Sequence, residues 1–119
     1  MGVTEKRRRF VEALNHMDGL WVKYLEDSAF YDINYSDLFT GLWRADKPVR
    51  KRDAVSYIRH VGPQTAAKYI DKAIKSGYIK EVPDPSDGRA KLLALSLDMQ
   101  QRLEQFFDAS IKEFRKALL

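Results

Sequence analysis

Apolar side chains recur at steps of three and four from the first residues onward. Phe10, Leu14, Met17, Trp21, Tyr24 and Tyr31, with Ser28 between the last two, mark one face, and Val11, Leu20 and Leu25 widen it. Thr4 offers a cap, so the spacing predicts a long amphipathic helix over about 5–30. Such a helix has more apolar face than one small domain covers, which points to a second copy of the chain. Asn34-Tyr35-Ser36 then interrupts the pattern. Leu38, Phe39, Leu42 and Trp43 form one side of a short helix at 36–45. A turn over 45–48 leads to a second short helix at 51–59, with Ala54, Val55 and Ile58 inward. Gly62 and Pro63 suit the cap and first position of a third at 63–76, which buries Ala66, Tyr69, Ile70, Ala73 and Ile74 and stops at Gly77.

Beyond Gly77 the period falls to two. Residues 78–82 read as a strand, 83–88 as a polar turn and 89–96 as a returning strand, which together make a hairpin. Ser96 caps a last helix over 97–117, whose apolar residues are Leu103, Phe106, Phe107, Ile111, Phe114 and Leu118. Two short helices joined by a tight turn and followed by a hairpin define a winged helix-turn-helix. The predicted fold class is thus α+β, mostly helical, with long N- and C-terminal helices around it. Residues 1–119 are read as a single domain in which 36–96 bind DNA. Helices 5–30 and 97–117 dimerise, through Phe10, Leu14, Trp21, Phe106, Phe107 and Phe114.

Charge sharpens this picture. The chain has 119 residues with a formal net charge of +4. Residues 44–80 carry ten basic and three acidic groups, while the segments on either side are each slightly acidic. A local excess of this kind attracts a phosphate backbone, although a merely solvated basic face would look the same in sequence. In a helix-turn-helix the second helix enters the major groove. Its outward residues here include Gln64, Thr65 and Lys68, candidates for base contact, and Lys72 and Lys75, candidates for phosphate. Asp71 repels phosphate and is expected to pair with a neighbouring Lys. Arg50, Lys51 and Arg52 open the preceding helix as phosphate contacts. Arg89 on the hairpin is placed to enter a narrow minor groove, its guanidinium held by Asp87. Lys6 to Arg9 read as the solvated start of a helix.

Other classes find little support. There is no Cys and there are two His, so neither disulfides, thiolate chemistry nor a His-rich metal centre is expected. No phosphate-binding Gly loop, His–carboxylate metal spacing or Ser–His–Asp set is present, and neither enzyme activity nor a cofactor is expected. No apolar run reaches the ~20 residues that cross a bilayer, which makes the cytoplasm the expected location. The aromatics Trp21, Tyr24, Phe30, Tyr31, Tyr35, Phe39 and Trp43 read as core at helical spacing rather than as the lining of an effector pocket, and an effector of unknown chemistry is left open.

Two segments resemble the MarR family of bacterial transcriptional regulators. Residues 66–79, Ala-Ala-Lys-Tyr-Ile-Asp-Lys-Ala-Ile-Lys-Ser-Gly-Tyr-Ile, resemble that family's recognition helix running into its first wing strand. Residues 84–96 are similar to its wing signature: Asp84-Pro85, then Asp87-Gly88-Arg89, then alternating Leu up to Ser96. The resemblance implies a homodimer through the first and last helices, bound to pseudo-palindromic duplex DNA, with Arg89 as the minor-groove arginine and Asp87 its support. The chain departs from the pattern at Gly88, where a second Arg is common, at Ala73 in place of Leu and at Gly62-Pro63. It also has one long helix after the wing where many relatives have another. The alternative is a winged-helix module that binds protein and reads no DNA sequence.

Overall fold

The computed structural model describes residues 2–119. Seven regular elements follow in order: α1 (Val3–Leu25), α2 (Ile33–Ala45), α3 (Lys51–Tyr57), α4 (Pro63–Lys75), β1 (Ile79–Asp84), β2 (Asp87–Leu95) and α5 (Leu97–Leu118), with a 3-10 turn at Ser28–Phe30. They divide into two compact units, Asp32–Gln100 on one hand and the N-terminal stretch through Tyr31 with Gln101–Leu119 on the other.

In the terminal unit α1 and α5 run antiparallel. Phe10 meets Phe114 with ring centroids 5.9 Å apart, and Trp21 meets Phe106 edge-on at 5.0 Å. Phe30 is buried in this unit. His16 Nδ1 lies 3.0 Å from Glu113 Oε2, an interaction that holds the Glu113 carboxyl below its ordinary pKa. The first helix ends at Leu25, five residues short of the end expected from its apolar stripe. Arg102 on α5 supplies the reason. Its Nη1 donates to the carbonyls of Tyr24 and Leu25, both at 3.2 Å. Continued helix would need those carbonyls for the N–H groups of residues 28 and 29. Glu26 turns to φ 62°, and the Ala29 N–H is taken by Asp27 Oδ1 at 3.0 Å. A cation on the last carbonyls also suits the negative end of the helix dipole.

In the 32–100 unit α2, α3 and α4 surround a core of Leu38, Phe39, Leu42, Ala54, Ile58, Ala66, Ile70 and Ala73, closed by Ile79, Leu93 and Leu95 of the hairpin. The aromatics Tyr35 and Phe39 are buried, in keeping with a core role, whereas Tyr31 and Trp43 remain exposed. The second helix starts at Ile33, before the expected residue 36, because Asp32 caps it: Oδ1 accepts from the Asn34 N–H at 2.8 Å. Asp46 in the left-handed region (φ 55°) ends it. The third helix of this unit, α4, stops as expected. The N–H groups of Gly77 and Tyr78 bond to the carbonyls of Ile74 and Ala73, and Gly77 takes the φ of 83° that this closure needs.

The hairpin pairs Ile79 with Leu95 and Val82 with Leu92 in antiparallel register. Val49 adds a bridge to Leu93, with N–H···O distances of 2.9 and 2.7 Å. That bridge ties the chain entering α3 to the hairpin, just past the turn expected over 45–48.

The close packing of α2 on α3 depends on Gly41. A Cβ at this position would lie 2.7 Å from Cγ and Cδ2 of Tyr57 and 2.9 Å from its Cβ, so the base of the ring would have to move. Gly41→Ala gains up to ~1 kcal/mol in helix propensity but forces overpacking that costs about 1–3 kcal/mol. With the full propensity gain, urea unfolding is expected to show a net loss of up to about 2 kcal/mol for this variant.

Candidate nucleic-acid interface

Helix α4 has two faces. Ala66, Ile70 and Ala73 are buried, whereas Gln64, Thr65, Lys68, Asp71, Lys72 and Lys75 are all exposed. Ala66 and Ala73 let the helix sit close while Ile70 fills the core between them, and the polar residues are then left on the opposite side. Tyr69, half-buried at the flank, fixes the helix against the start of α2. Its hydroxyl donates to Asp32 Oδ2 at 2.6 Å and accepts from Asn34 Nδ2 at 3.2 Å. The ring meets Tyr35 edge-on at 4.8 Å.

The cations around α4 differ in their engagement. Arg50, Lys51 and Arg52 at the start of α3 are exposed. Lys51 Nζ donates to Asp71 Oδ1 at 2.8 Å, the Lys partner expected for Asp71 and one drawn from the preceding helix. Both groups are about half exposed, and a pair of this kind contributes ~0–1 kcal/mol. Arg50 acts on Asp84 at the base of the wing tip. In the turn before α4, Arg59 Nη2 and His60 Nε2 lie 3.9 and 3.8 Å from the Asp37 carboxylate.

The wing tip is tighter than the sequence suggested. Asp84 pairs with Asp87 across Pro85-Ser86, so 83–84 and 87–88 belong to the strands. Asp84 Oδ1 accepts from both the N–H and the hydroxyl of Ser86, at 2.9 and 2.8 Å. These bonds, with help from Arg50, hold the Asp84 carboxyl below its ordinary pKa. The register then jumps between Pro83 and Asp84, which leaves Gly88, Arg89 and Ala90 without a Cα partner in β1. Arg89 is exposed on this irregular stretch. Asp87 Oδ1 accepts from the Arg89 backbone N–H at 3.1 Å. It therefore shapes the backbone that carries Arg89, where the sequence had suggested a grip on the guanidinium. A two-residue separation favours this local bond.

The residues expected at a dimer interface divide by exposure. Phe10 is 53% exposed and Leu14 lies on the same side of α1. Phe106 is only 9% exposed, packed on Trp21 within the chain. Phe107 and Phe114 are half-buried. Val11, Val22, Ile111 and Leu118, absent from the sequence-based set, are exposed as well.

No family model matches the sequence, and no curated protein matches it. Solved structures do match. The chain is similar to a MepR mutant from a multidrug-resistant S. aureus clinical isolate, with a TM-score of 0.72 at 14% identity, over 99% of this chain and 81% of that one. It is similar to the transcriptional regulator Tm0710 from Thermotoga maritima, with a TM-score of 0.60 at 20% identity, over 92% and 75% of the two chains. A Bacillus cereus protein assigned as a MarR-like transcription regulator gives 0.58 at 13% identity, over 94% and 76%. The chain thus has the winged-helix fold of MarR-like transcriptional regulators, in agreement with the resemblance of its recognition-helix and wing segments. Among the described residues no helix is long and apolar enough to cross a membrane.

The Tyr69–Asp32 bond sets a pH signature. The Tyr69 hydroxyl, followed by the Asn34 N–H, holds the Asp32 carboxyl below its ordinary pKa, and Asp32 in turn raises the Tyr69 phenol. A lowered carboxyl stabilises the fold above the unfolded carboxyl pKa, and that contribution is lost as pH falls through the folded value. The raised phenol stabilises below the unfolded phenol pKa and loses its contribution as pH rises through the folded one. The stability gap between wild type and Tyr69→Phe is therefore expected to be widest between about pH 5 and 9 and to close towards acid and alkali. Thermal melts across pH check this.

Proposed function

We propose that the protein is a sequence-specific double-stranded DNA-binding transcriptional regulator that acts as a homodimer, with α4 in the major groove and the wing in the minor groove. One observation carries the reading: α4 buries Ala66, Ile70 and Ala73 and turns Gln64, Thr65, Lys68, Lys72 and Lys75 outward, beside a hairpin that exposes Arg89 on an irregular strand. Gln64, Thr65 and Lys68 read base edges. Lys72 and Lys75, with Arg50 and Arg52, bind phosphates and set the register. Occupancy of an operator blocks polymerase access, so the activity is binding and not catalysis. That the similar solved structures include transcriptional regulators supports this assignment.

The homodimer forms through the exposed apolar residues of α1 and α5, Phe10, Leu14, Val11 and Ile111 among them. Several large apolar side chains left exposed on two paired helices of a small chain favour an association site. Because Ile111 is 57% exposed, Ile111→Lys leaves the internal packing in place. Sedimentation is expected to show a monomer for Ile111→Lys and a dimer for wild type.

Selection of bound duplexes from a random library tests the reading as a whole. A recurrent pseudo-palindromic site is expected. Binding that is weak, salt-sensitive and indifferent to sequence would instead favour the interaction-module alternative. On the selected duplex, Arg89→Ala is expected to cost about 1–3 kcal/mol. Affinity for any duplex should fall steeply with salt, and neutralising one phosphate-binding Lys or Arg should lower the log–log slope by about 0.9.

A further inference from the structure

The carboxylate of Asp71 stands where a phosphate-binding surface should carry a cation. Steps of four, three and four from Gln64 lead to Lys68, Asp71 and Lys75, so these four side chains share one exposed stripe of α4. The Asp71 side chain is 62% exposed, and its Oδ1 accepts from Lys51 Nζ at 2.8 Å. Resting on the reading of α4 as the major-groove helix, we propose that Asp71 is a specificity-determining residue that accepts a hydrogen bond from the exocyclic amino group of a cytosine.

A carboxylate only accepts. In the major groove the donors are the N4 amino group of cytosine and the N6 amino group of adenine. Adenine sets the N7 acceptor beside N6, and that lone pair repels a carboxylate. Cytosine sets a C–H beside N4, so cytosine is the favoured base. An uncompensated negative charge would be driven out of a groove walled by phosphates. Lys51 removes that obstacle, because its ammonium offsets the charge from the preceding helix and binds Oδ1, leaving Oδ2 for the base. Lys51 is thereby a positioning residue for Asp71, not a phosphate ligand.

Duplex selection with the full chain, carried out for wild type, Asp71→Ala and Asp71→Asn, tests this. The wild-type site should contain a cytosine position that Asp71→Ala flattens while every other position keeps its preference. Asp71→Asn should convert that position to adenine, since a carboxamide bonds both N6 and N7. Replacing the cytosine should weaken wild-type binding by about 5- to 150-fold and leave Asp71→Ala binding within about twofold. A loss of folding in the variants, which exposed substitutions should not cause, would show in their melts and would move all positions together. Identical preferences in the wild type and both variants would overturn the assignment. A wild type that selects no sequence at all would overturn the DNA-reading function with it.

Discussion

Everything in the 32–100 unit depends on one helix being seated closely enough to leave only its polar face outside. Ala66, Ile70 and Ala73 let α4 approach the core formed by Leu38, Phe39 and Ile58. Larger residues at 66 and 73 would hold the helix away and overfill the site. Three further constraints fix its orientation. The Gly77 closure ends it, Tyr69 bonds it to the cap of α2, and the hairpin follows directly from its last turn. A rigid helix with a fixed roll keeps the directions of its exposed side chains Gln64, Lys68, Asp71 and Lys75 constant.

The wing follows the same logic at smaller scale. Its root is held by the Val49–Leu93 bridge and its tip by the Asp84–Ser86 bonds. Between them the register breaks, and Arg89 stands on the broken segment. A register break of this kind re-aims the side chain it carries while the pairing on either side is kept. Two acidic residues, Asp84 and Asp87, shape the backbone of the tip. In each, Oδ1 accepts from a local donor.

Acidic groups elsewhere on the basic surface are also engaged. Asp71 faces Lys51, and Asp37 faces Arg59 and His60. Lys51 and Arg59, two of the ten basic residues of 44–80, thus already face a carboxylate within the fold. Fewer cations on this surface are without an acidic neighbour than a residue count suggests, and on the proposed reading that lowers the number available to phosphate.

The order of elements, the inner and outer faces of α4 and the Gly62-Pro63 start and Gly77 stop were legible in the sequence, because each rests on periodicity or local backbone chemistry. The resemblance of residues 66–79 and 84–96 to MarR regulators pointed to the same fold. What lay beyond the sequence were the interactions between residues far apart in the chain. The end of α1 at Leu25 depends on Arg102, 77 residues away. The position of α4 against α2 depends on Tyr69 reaching Asp32, and the anchoring of the hairpin to the chain before α3 depends on Val49 meeting Leu93. Periodicity records which face of an element is buried, whereas only the folded chain decides which distant donor meets which acceptor.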